Sequence, residues 1–131
     1  MIALDTNILA RWLLADDAVQ FAAAKRLLGG AHECTAPLTV LLELVWVLEA
    51  HKLARADVAR GLRALLGLPH FKPREPQVLA RCLGWYEQGL DFADALHLAQ
   101  SDADDHFASF DAKLAQRAAK LGARPPVLRP A

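Results

Sequence analysis

Four acids, Asp5, Glu43, Asp94 and Asp111, stand where this chain could build chemistry. Asp5 lies in an apolar opening segment, Ile2 to Thr6, that reads as a short buried strand. Asp111 follows a second such segment, His106 to Phe110. In open α/β sheets ligands gather at the carboxyl ends of strands, so both acids occupy expected site positions. The competing reading of each is a plain helix N-cap, a place that Asp favours. Glu43 is the only charge between Cys34 and Leu48. A helix apolar on all sides is expected to be largely buried. A lone buried carboxylate needs an arginine or a metal ion to compensate it. Asp91 and Asp94, three residues apart, fit the N-cap and third position of one helix, where both also complement its dipole. If that helix precedes the Asp111 strand, Asp94 points to the same strand ends. Hard oxygen donors without clustered histidines or thiols suit Mg²⁺ or Mn²⁺ rather than zinc.

The elements that must hold these acids alternate. Strands are expected at Ile2 to Thr6, His32 to Ala36, around His70 to Lys72, His106 to Phe110 and Val127 to Leu128. Helical patterns cover Ile8 to Ala15, Ala18 to Leu28, Thr39 to Lys52, Ala56 to Leu66, Gln77 to Gln88, Asp91 to about Asp102, and Ala112 to Leu121. Gly29-Gly30, Gly67, Gly89 and Gly122 supply stops. Alternating strands and helices imply an α/β domain with a mostly parallel sheet. Neither repeats nor linkers break the chain, so one domain over residues 1–131 is expected, with Pro125-Pro126 and Pro130 marking an irregular tail.

The chain has 131 residues, 54% of them hydrophobic, which suits one folded domain with a substantial core. Fifteen basic residues match fifteen acidic ones, so nucleic-acid contact must come from local patches, not a global field. Cys34 and Cys82 have no disulfide-framework or zinc spacing and read as buried thiols of a reducing compartment. With no leader pattern and no long apolar run, a cytoplasmic protein without a membrane span is expected.

Taken in order, the motifs resemble those of PIN-domain proteins. Leu4-Asp5-Thr6-Asn7 is similar to their opening motif, and Glu43 in its leucine- and valine-rich helix to the second. Asp91-Phe92-Ala93-Asp94-Ala95-Leu96-His97-Leu98-Ala99 resembles the third. Ser109-Phe110-Asp111, followed by Leu114, resembles the fourth, where Thr often replaces Ser. Order, spacing and length resemble the VapC toxin branch over essentially the whole chain. The resemblance implies a three-layer α/β/α fold with about five strands, and Mg²⁺- or Mn²⁺-dependent RNA cleavage. It makes Asp5, Glu43, Asp94 and Asp111 the metal-binding catalytic acids, with Thr6, Asn7 and Ser109 hydrogen-bonding around them. It also implies a cognate antitoxin partner and a toxin homodimer. The chemistry agrees, since a divalent ion neutralises a phosphodiester and acidifies an attacking water.

Other residues read more blandly. His97 is expected to be a packed or hydrogen-bonded core residue, and Trp12, Trp46 and Trp85 are expected in core or interface. Beyond Asp111 the chain has no acid. Lys113, Arg117 and Lys120 fall on one helical face there, either as a solvated stripe or as an RNA-phosphate ridge. Competing functions fit less well. A haloacid-dehalogenase-type phosphatase would want a second Asp where Asn7 stands, and a response-regulator receiver would want an acid pair after the first strand. A processing or DNA nuclease, or a non-catalytic binding module, on the same fold remains an alternative to the toxin.

Overall fold

A computed structural model describes all residues, Met1–Ala131. The chain divides into two compact units, Met1–Arg74 and Glu75–Ala131. The α/β class holds, with seven helices and four strands.

In the first unit, β1 (Ile2–Ala3) pairs in parallel with β2 (Cys34–Thr35), in the register Ile2↔Cys34 and Ala3↔Thr35. Phe71 extends the array through a parallel bridge to Cys34. Between β1 and β2 run α1 (Thr6–Leu14) and α2 (Ala18–Leu28), and after β2 come α3 (Leu38–Ala50) and α4 (Arg55–Leu66). Asp17 caps α2 through Gln20 N at 3.0 Å. Helix α4 buries Val58, Ala59, Leu62 and Leu65, an apolar stripe at helical spacing. Helix α3 packs against α1 and α4 and buries Leu41, Leu44, Val45 and Leu48.

In the second unit, α5 (Pro76–Glu87) packs on α6 (Phe92–Gln100). Tyr86 meets Phe92 edge-to-face at 5.5 Å between ring centroids, a favoured aromatic geometry. Strand β3 (Phe107–Ala108) pairs in parallel with β4 (Val127–Leu128), and α7 (Ala112–Leu121) connects them. Gly122 ends α7 at φ 65°, a left-handed position that costs glycine nothing sterically.

β1, β2 and β3 are shorter than expected, and the strands form two parallel pairs, one in each unit, where a central sheet of about five strands was expected. The His70 to Lys72 segment contributes only the Phe71 bridge. The cause is local. Asp5 turns the chain into α1 directly after Leu4, so Thr6 is already helical. Pro37 follows β2, Pro73 follows the Phe71 bridge, and Pro126 and Pro130 flank β4; proline cannot donate to a ladder. No helix is long and apolar enough to cross a membrane. Cys34 and Cys82 are buried free thiols. Burial pushes the Cys82 thiol up to about 12, with the Asp91 charge adding to the shift.

Candidate active site

Each candidate acid is fixed by the element it begins or rides on. Asp5 is the N-cap of α1, and its Oδ1 accepts from Thr6 N at 2.8 Å. Asp111 is the N-cap of α7, and its Oδ1 accepts from Lys113 N at 2.9 Å and Leu114 N at 3.1 Å. Capping and chemistry, weighed as alternatives from the sequence, therefore draw on different atoms. In both acids one oxygen serves the helix, while Oδ2 accepts no hydrogen bond from the protein.

Glu43 follows the same division. The hydroxyl of buried Thr6 donates to Glu43 Oε1, leaving Oε2 without a donor. The burial expected for Glu43 is corrected, because its side chain is exposed. Helix α3 covers only one face, and its other face leaves Glu43, Glu49 and a 55% exposed Trp46 at the surface. Neither a burial penalty nor an arginine partner is needed to explain Glu43.

Asp91 caps α6 by accepting from Asp94 N at 3.1 Å. Asp94, at the third position, is partly buried and has no hydrogen bond to its carboxylate. Its carboxyl is held above the usual Asp range by burial first, then by the negative charges of Asp91 and Asp111. His97 opposes the shift. A group in this state gains from a nearby cation.

Among the supporting residues, Ser109 Oγ accepts from Asp111 N at 3.0 Å and so holds the turn before α7. Asn7 makes no hydrogen bond to an acid and instead lines a cleft with Arg11 and Gln20. His97 is exposed, not core, and stacks on Phe107 at 6.2 Å between ring centroids. Trp12 and Trp85 are half-buried. Lys113, Arg117 and Lys120 are all exposed, and Arg117 and Lys120 line a cavity with Gln88, Gly89 and Leu121 that Lys113 does not reach. Sequence reasoning missed Gln88 and Gly89, because they read only as the end of α5. It also missed the 78% exposure of Phe110, which an apolar strand pattern hides.

The donor chemistry fits a hard divalent cation, with one oxygen each of Asp5, Glu43 and Asp111 held in place by a hydrogen bond. No group of three or more His, Cys, Asp or Glu side chains is arranged to hold a metal ion.

Comparison with known families matches residues 2–121 to the PIN domain, and the chain belongs to that family. The PIN domain is a nuclease fold whose members are generally hydrolases that bind divalent metal ions. No curated protein and no solved structure matches the chain.

Proposed function

We propose that this protein is a metal-dependent endoribonuclease, the toxin of a toxin–antitoxin pair. Asp5, Glu43, Asp94 and Asp111 hold Mg²⁺ or Mn²⁺ against an RNA phosphodiester. The observation that carries this reading is the division of labour within the carboxylates. Asp5, Glu43 and Asp111 each commit one oxygen to the fold and keep the other without a protein donor, and Asp94 keeps both.

A bound divalent ion supplies charge neutralisation at the phosphate and a more acidic water. The chain's own residues do the rest. The caps of α1 and α7 fix the Asp5 and Asp111 carboxylates, Thr6 orients Glu43, and Ser109 braces the backbone at Asp111. The repulsion that Asp94 feels from Asp91 and Asp111 favours a cation over a proton-free empty state.

The test is RNA cleavage by the purified full chain with Mg²⁺ or Mn²⁺. Asp94→Asn should lower the rate about a hundredfold or more, because the ion supplies several kcal/mol of charge stabilisation and about 1.4 kcal/mol is tenfold in rate. Circular dichroism should show an unchanged fold. Wild-type cleavage by that variant, or in excess chelator, contradicts the proposal.

A further inference from the structure

We infer that the cavity between the end of α5 and the last turns of α7 is a phosphate subsite for the RNA strand, separate from the acids that cut it. This inference rests on the ribonuclease reading and adds to it where the substrate backbone is held.

The cavity measures about 310 Å³ and is lined by Gln88, Gly89, Arg117, Lys120 and Leu121. Two cations and a side-chain amide thus share one concavity with an apolar wall. Arg117 and Lys120 are three residues apart on α7, so they project from the same side of the helix. Arg11, Arg60 and Arg81 are each neutralised by an aspartate, at 2.8, 2.7 and 2.8 Å. Arg117 and Lys120 have no carboxylate partner. Lys120 also complements the negative end of the α7 dipole, but that role does not explain Arg117. Gly89 adopts φ 111°, and a Cβ there would stand in open space. It is glycine for its backbone conformation, and the rim beside it stays unobstructed.

A guanidinium, an ammonium and an amide around one hollow suit a single tetrahedral oxyanion. A phosphodiester is the anion that an RNA strand presents at regular intervals. The chain's net charge is +0, so it exerts no long-range pull, and RNA affinity must come from such local sites. Lys113 does not line the cavity. The basic face of α7 is therefore a two-residue pocket plus one separate lysine, not a uniform ridge.

The test is binding of a short, fluorescently labelled single-stranded RNA to the full chain in excess chelator, measured against salt concentration. The Arg117→Gln/Lys120→Gln double variant should reduce the log–log salt slope by about 0.7, the signature of one phosphate contact on a single strand, and each single variant by no more than that. In parallel, inorganic phosphate should shift the Gln88 side-chain amide resonance saturably in wild type and not in the double variant. An unchanged slope in the double variant overturns the subsite. So does a loss of about 1.4 in the double variant, since it means two independent contacts. Displacement of the RNA by oligoglutamate as readily as by oligonucleotide also overturns it, by assigning the cavity to an acidic protein segment. None of these readouts requires cleavage, so failure of the ribonuclease reading appears in the cleavage assay alone.

Discussion

At the scale of single residues, Asp94 is the acid under most strain. Burial and the charges of Asp91 and Asp111 raise its folded-state pKa, and they outweigh the opposing attraction of His97. The consequence for stability has a definite sign. A raised folded pKa contributes stability below the ordinary Asp value of about 3.9, and that contribution is lost as pH climbs through the raised value. In excess chelator, Asp94→Asn should therefore melt above wild type at neutral pH. The gap should close as pH falls below the ordinary Asp value. It should amount to a few degrees at most, because Asp94 is only partly buried and solvent screens the repulsion. Thermal melts across this pH range check the expectation, and a variant less stable than wild type at neutral pH contradicts it. Glu43 and His97 show where residue-level reading from sequence stops. The apolar run around Glu43 shows that α3 packs, but not which of its faces is covered. His97 sits one turn after Asp94, and only the fold shows that it lies against Phe107 at the surface.

At the scale of elements, the helices were legible because their ends are written locally. Helices α2 and α7 occupy the expected ranges, Ala18–Leu28 and Ala112–Leu121, between an Asp cap and a glycine stop. The extended segments were legible in place but not in length, since a ladder depends on its partner strand as well as its own residues. Four of the five expected segments form strands, three of them trimmed to two residues and Val127–Leu128 as expected, and the fifth is the Phe71 bridge. The caps also allow structure and chemistry to be separated at Asp111. Asparagine preserves the cap and alanine does not. Asp111→Asn should keep stability within a few tenths of a kcal/mol, and Asp111→Ala should lose about 1 kcal/mol. Both should abolish cleavage. Urea unfolding beside an RNA cleavage assay reads the two effects separately. Full activity in Asp111→Asn would leave Asp111 as a cap and nothing more.

For the whole molecule, the family match runs from residue 2 to residue 121 and takes in both compact units. Each unit supplies two of the four acids, which local pattern could mark individually but could not group into units. The proposed biological role is tested at this scale. Expression of the chain alone should arrest growth, and Asp94→Asn should relieve the arrest. Co-expression of a neighbouring antitoxin should also relieve it, through a stable complex. Harmless accumulation of folded, cleavage-competent protein with no copurifying partner contradicts the toxin role and leaves the nuclease standing.

On the proposed function, the four acids act as one metal-holding set. Calorimetric titration of Mn²⁺ into the full chain measures this, with Asp5→Asn, Glu43→Gln, Asp94→Asn and Asp111→Asn beside wild type. Wild type should bind saturably, and every one of the four variants should bind at least about tenfold more weakly. Wild-type affinity in Asp5→Asn and Glu43→Gln, with loss only in Asp94→Asn and Asp111→Asn, would contradict a shared set.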